Sequence, residues 1–233
     1  MRAQLAKVFR VVGRILVPAI VGLIGVLPGV HFLWKASGSN EWKLVRDENG
    51  IQVFTLKAPG STLLQCRARM RVKTSLASSV FLLRGDPATN DDFGGTDFKV
   101  IERIETPDVY LAYYSVKHKM PPPFSTKELV ILLNYSQDKK TKAVEINVQA
   151  APTKTPPTAG ASRVTHLNNI FRLTPLPNGE VEWDITGDVD MGLFYPLANL
   201  AMPDFVFKDL SRDRELVQTQ RYQKASLISV QEL

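Results

Sequence analysis

Three histidines, one cysteine and a lysine set on an apolar strand are the residues of this chain best suited to chemistry. His31 falls in an uncharged run near the N-terminus, and His118 and His166 stand on separate predicted strands with no ligand partner at metal spacing. Cys66 has no histidine signature beside it and reads as a small buried hydrophobe. Asp188-Val-Asp-Met-Gly192 starts like a calcium loop but lacks the later ligands, and reads better as a strand-to-helix turn. The chain has no glycine-rich phosphate loop and no nucleophile elbow. No catalytic residue, metal ligand or cofactor is assigned. Lys127 is the polar residue of interest, because alternation puts it on the face of Leu129 and Ile131. An unpaired ammonium buried there costs several kcal/mol or loses its proton, so it needs a carboxylate, a ligand headgroup or an escape to the rim.

The elements that position these residues follow from periodicity and turn chemistry. Trp42 and Leu44 offer an apolar face, Asp47-Glu-Asn-Gly50 is a turn in which Gly50 takes positive φ, and Ile51–Leu56 is a strand. Leu63–Val72 is the next, with Cys66, Ala68, Met70 and Val72 on one face and Arg67, Arg69 and Arg71 on a solvated one. Ser75 caps a helix running to about Leu83, and Gly85–Gly95 is rich in turns. Further strands are predicted over Lys99–Ile104, Val109–Lys119, Thr126–Tyr135, Ala143–Ala150, Arg163–Leu173 and Glu180–Val189, the last pair joined at Pro177-Asn-Gly179. Ala151–Ala161 is a Pro/Thr loop. A long helical region from about Tyr195 to Lys224 follows, with a break or restart expected at Pro203. Alternation groups the apolar faces, and the positions expected to line a cavity are Tyr114, Val116, His118, Lys127, Leu129, Ile131, Val148, Trp183, Leu197, Ala201 and Phe205. Most such faces make ordinary core. Lys117–Phe124, with Met120 and Phe124, is either a Pro-stiffened connection or a lid at a membrane interface.

The net charge of +6 is local. Residues 1–35 carry five cations and no acid, leaving 24 basic and 23 acidic residues in 36–233. The folded part is nearly neutral, which argues against a nucleic-acid partner. Ile15–Trp34 is a run of twenty uncharged residues, about 30 Å as a helix. Its twelve Leu, Ile, Val or Phe residues supply on the order of −5 kcal/mol of insertion free energy. The expectation is a transmembrane anchor or uncleaved signal segment over 1–35, a linker over 36–41, one domain over 42–224 and a tail over 225–233. Cations ahead of the run place the N-terminus in the cytoplasm, so the domain faces the periplasm from a single-pass inner-membrane anchor. Signal cleavage and release to the periplasm is the alternative.

One resemblance spans roughly Trp42 to Tyr222. Met120-Pro-Pro-Pro-Phe-Ser-Thr-Lys-Glu-Leu-Val130 resembles the START-domain loop that leads into an Arg-Asp strand start, with Lys127-Glu128 at the Arg-Asp positions. Phe171-Arg-Leu-Thr-Pro175 with Asn178-Gly179 resembles the family's late hairpin, and Tyr195-Pro196 with Asn199 the start of its final helix. The resemblance implies an α+β helix-grip fold, a curved antiparallel sheet wrapped around a long C-terminal helix with an internal apolar cavity. It implies a membrane-associated, non-enzymatic protein that holds a lipid or other hydrophobic small molecule for transfer or sensing. The rivals are an enzyme of the same fold (a cyclase or hydrolase acting on an apolar substrate) and an interaction module whose cavity is filled by its own side chains.

Overall fold

The computed structural model describes residues 28–85, 89 and 95–233. They fall into two compact units. In the smaller one, residues 28–41 with Lys57–Thr62, residues 28–36 are helical. The Trp34 indole donates to the Thr62 carbonyl at 2.8 Å, and the Lys57 ammonium donates to the carbonyls of Ser37 and Ala58 at 2.8 and 3.0 Å. No helix among the described residues is long and apolar enough to cross a membrane. The expected span over 15–34 lies outside the described residues as far as residue 27.

The larger unit, Trp42–Leu56 with Leu63–Leu233, holds every described strand. It opens on a hairpin of β1 (Lys43–Glu48) and β2 (Ile51–Leu56), whose turn residues Asn49 and Gly50 both have positive φ, 53° and 74°. That is the primed turn whose twist matches the flanking strands. β3 (Gln65–Lys73) leads into α1 (Leu76–Leu83), where the Ser75 hydroxyl accepts the Ser78 N–H at 3.0 Å. This satisfies one of the orphan donors of the first turn. Then come β4 (Thr96–Glu105), β5 (Tyr110–His118), β6 (Thr126–Gln137), β7 (Val144–Ala150), β8 (Ala161–Arg163), β9 (His166–Pro175) and β10 (Glu180–Asp190). α2 (Tyr195–Val217) and α3 (Gln220–Gln223) close the order.

The strands form one sheet in the order β1-β2-β3-β10-β9-β7-β6-β5-β4, antiparallel throughout, with β8 added in parallel to β6. The last strand therefore pairs with β3, and the sheet presents one face to the helices. That face carries Val53, Ala68, Met70, Tyr110, Tyr114, Leu133, Ile146 and Trp183, all buried. The outer face carries a cross-strand ladder in which Arg67 and Arg69 donate to Asp184 at 2.7 and 3.1 Å and Arg71 donates to Glu182 at 3.0 Å. The sheet and C-terminal helix are those of the expected helix-grip architecture.

Three local features differ from expectation. The segment 163–173 is not one strand: β8 ends at Arg163, and the chain reverses its partner before β9 begins at His166. The final helix runs through Pro203 and breaks at Gln218–Thr219. Proline removes one backbone donor, but Val206, Phe207 and Leu210 just beyond it pack into the core and hold the axis. Residues 225–233 are no free tail: Leu227 and Ser229 are buried, and the Ser229 hydroxyl meets Tyr135 Oη.

Candidate ligand pocket

A pocket of about 330 Å³ lies between α2 and the inner face of the sheet. Its sheet wall is built by small residues meeting across strands. Gly187 pairs with Cys66 on one side and Asn169 on the other, and Ile185 pairs with Ala68. A Cβ on Gly187 would fall 1.9 Å from Asn169 Oδ1, so glycine is what lets the asparagine lie across the strand. Leu82, Phe171, Val189, Met202 and Val206 complete an apolar lining. Cys66 is buried there, and burial, with Asp188 adding to it, pushes its thiol up to about 12. That thiol is inert in the native state.

The polar end comes from one turn of α2. Arg212 reaches Asp209 at 3.1 Å and Asp213 at 3.0 Å, and all three border the pocket. Burial raises both carboxyls, Asp213 to about 6, against the pull of Arg212. His118, half-buried on β5, is held below its ordinary value by burial, with Asp209 opposing. Two carboxyl groups and one guanidinium can orient a polar group at the end of an apolar slot. Among the described residues no cluster of three or more metal-ligating side chains is present.

The positions expected from alternation are placed as follows. Tyr114 and Trp183 are core: the tyrosine hydroxyl donates to the Arg84 carbonyl at 2.6 Å, and the indole to Ser79 Oγ at 3.2 Å. Val148 is buried, while Val116, His118, Leu129 and Ile131 are half-buried on the inner face. Lys127 is buried directly opposite His118. Leu197 and Ala201 are exposed and stand off the pocket, because α2 buries its C-terminal half, Phe207, Leu210, Asp213 and Val217. Of the expected positions, Phe205 borders the pocket. In the loop, Met120 is half-buried and Phe124 exposed. His166 is exposed and bonds Asp188 at 2.8 Å. The pocket's own residues carried a legible signal, small side chains on the inner face of β3 and a glycine mid-strand in β10, but their pairing required the topology.

Glu128, beside Lys127, accepts from Arg163 at 3.0 Å and from the Thr158 N–H at 3.1 Å, so the strand start does carry a fixed ion pair. Burial alone would raise this carboxyl, yet the bonds from Thr158 and Arg163 hold it below the ordinary value.

No family model matches the chain, and no curated protein matches it. Solved structures do. A STAR-related lipid transfer protein fragment from Xanthomonas axonopodis superimposes with a TM-score of 0.65 at 22% identity, over 76% of this chain and 99% of that one. Human STARD10 gives 0.63 at 16% identity, over 82% and 78%. Human StAR-related lipid transfer protein 5 gives 0.59 at 18% identity, over 88% and 96%. Sheet order, closing helix and these superpositions together establish that the chain has the fold of the StAR-related lipid transfer domains.

Proposed function

We propose that this chain is a membrane-anchored carrier that binds one lipid or similar apolar molecule non-covalently between α2 and the sheet. The observation that carries the reading is the pocket itself: Cys66 and Ala68 on β3 and Gly187 on β10 leave a space of about 330 Å³ between the sheet and α2. That volume falls within the range of small-molecule sites, and a mostly apolar lining with a few convergent polar groups is their usual make-up. The fold shared with proteins named for lipid transfer supports the same reading. Burying a dozen methylenes would contribute about 9–10 kcal/mol before ordering costs. No covalent step is required, and the mechanism is capture, shielding and release. The uncharged run over 15–34 anchors the domain in the inner membrane with its folded body in the periplasm, so the site stays near its lipid source.

The test is native mass spectrometry of the full chain, followed by solvent extraction and lipid analysis. A stoichiometric lipid is expected with the wild type. Ala68→Phe, which fills the pocket from its wall, should lower its occupancy at least tenfold. A lipid-free wild type after incubation with membrane extract would sink the proposal.

A further inference from the structure

Lys127 is a buried residue that makes no ion pair among the described residues, and its Nζ is not one of their fully buried atoms. Four charged residues are buried as whole residues among the described ones, and three are ion-paired. Arg84 meets Glu105 at 2.8 Å, Glu128 meets Arg163 at 3.0 Å and Asp213 meets Arg212 at 3.0 Å. Lys127, only 8% exposed, makes no ion pair and no hydrogen bond among the described residues. None of the acids on the elements beside it makes a salt bridge to it. Glu128 points to the opposite face of β6 and is held by Arg163 and Thr158. Asp190 turns its carboxylate onto the Gly192 N–H at 2.7 Å. Asp209, which acts on His118, is bound to Arg212 at 3.1 Å. A fold that ion-pairs the other buried charges among the described residues leaves this ammonium open to an outside partner.

Its position says what that partner is. Lys127 opens β6 on the inner face, opposite His118, and Leu129 and Ile131 follow it along the same face, both half-buried. A Cβ on Gly192, in the turn between β10 and α2, would stand 3.4 Å from Nζ. Glycine at that point, with φ of 64°, leaves the ammonium uncovered by a side chain. Three residues earlier, Val189 lines the pocket, and so does Asp209, whose charge acts on His118.

We propose that Lys127 receives an anionic headgroup, a carboxylate or a phosphate, of the lipid bound in this domain, with His118 as a second contact and the apolar chain running past Val189 into the pocket between α2 and the sheet. The inference rests on the lipid-binding reading and deepens it by naming the ligand class. A fixed cation facing a short apolar run discriminates by charge: the anion gains a charge-assisted bond, while a neutral analogue of the same length leaves the ammonium unpaired.

The full chain, held in an amphipathic polymer, is offered equal amounts of hexadecanoic acid and hexadecanol, and in a second series phosphatidic acid and diacylglycerol of matched chains. Retained ligand is read by native mass spectrometry. The wild type is expected to retain the anion over its neutral partner at least tenfold in one series or both. Lys127→Met should bring that ratio to within about twofold, and Lys127→Arg should keep most of it. Thermal unfolding of lipid-free protein serves as the folding control for Lys127→Met and Lys127→Arg. A preference untouched by Lys127→Met in a folded variant would overturn the assignment. Displacement of hexadecanoate by millimolar acetate or inorganic phosphate would also overturn it, since the site would then be one for free anions. If acids and neutral lipids are retained equally, the headgroup assignment alone fails. If the wild type retains none of the four, the carrier reading fails and takes this inference with it.

Discussion

At Glu128 and Arg163 a carboxylate and a guanidinium sit with side chains only 5% and 7% exposed, and the pair organises what surrounds it. Arg163 also donates to the carbonyls of Pro152, Thr155 and Pro156, so one guanidinium pins the Pro/Thr loop to the sheet. Breaking such a pair leaves an uncompensated buried charge, so Arg163→Met should cost about 3–5 kcal/mol in urea unfolding, and a loss below 1 kcal/mol would show the pair to be idle. The sign of its pH dependence is fixed by the depressed carboxyl of Glu128. Its stabilisation is complete above the unfolded carboxylate range and is lost as pH falls through the lower folded value. Asp213 works in the opposite sense. Burial lifts its carboxyl from 3.8 to about 6, so the folded state binds this proton more tightly than the unfolded one. Stability from Asp213 is fully present below 3.8 and is lost as pH rises to 6, on the order of 3 kcal/mol in total. Unfolding free energies of wild type and Asp213→Asn, compared at pH 4 and pH 7, should therefore diverge by that order, with the wild type losing ground at pH 7. Parallel pH curves would mean that Asp213 titrates normally.

α1 shows how an element can depend on residues far away in sequence. Its first turn carries no acid of its own, and Ser75 covers the N–H of Ser78. The N–H groups of Leu76 and Ala77 are taken by the Glu232 carboxylate at 3.0 and 2.8 Å, from the second-last residue of the chain. Glu232→Ala should destabilise by about 1–2 kcal/mol, and removing residues 228–233 should cost more, because Ser229 also leaves Tyr135. An unchanged denaturation midpoint in both variants would reduce the cap to decoration. The Ser75 cap was legible from sequence because an N-cap is a local pattern. Glu232 was not, since nothing within one turn of it refers to α1. The same distinction runs through the strands. A period of two placed Tyr114, Val148 and Trp183 on one buried face, because alternation is a property of each strand alone. Which of those positions border a space depended on strand order, and β3 beside β10 brought Cys66 against Gly187 where the mid-sheet positions filled with core instead. Leu197 and Ala201 have helical spacing as good as that of Leu210, yet only the C-terminal half of α2 is buried, a difference of placement that periodicity does not encode.

For the molecule as a whole, charge and exposed apolar surface are placed differently. Residues 36–233 carry 24 bases and 23 acids, so the body has little net field with which to approach a bilayer. What it does have is an apolar ridge at the start of α2: Phe194, Leu197, Leu200 and Phe205 are all more than half exposed. The Gly192–Lys127 proximity sets the turn before α2 beside the start of β6, into which the loop carrying the exposed Phe124 leads. Isolated exposed leucines need no explanation, but four large apolar side chains spread from the N-cap to the middle of one helix, near the exposed Phe124, are a patch of the kind interaction surfaces use. If that surface enters the acceptor bilayer during lipid delivery, apolar burial supplies most of the driving force, roughly 1.5–3 kcal/mol for each side chain fully inserted. Two consequences separate this from an electrostatic approach. With the full chain reconstituted in donor vesicles, transfer of its lipid to acceptor vesicles should change less than about twofold between low and high salt, where docking through several basic contacts would fall steeply. Phe194→Asp combined with Leu200→Asp should slow transfer by roughly tenfold or more, since each aspartate replaces a favourable insertion with a charged group resisting it. Both positions are exposed and make no core contact, so the lipid content of the double variant serves as the control on folding. Transfer at the wild-type rate by a fully loaded double variant would show that α2 does not meet the membrane, and that release proceeds through some other face of the domain.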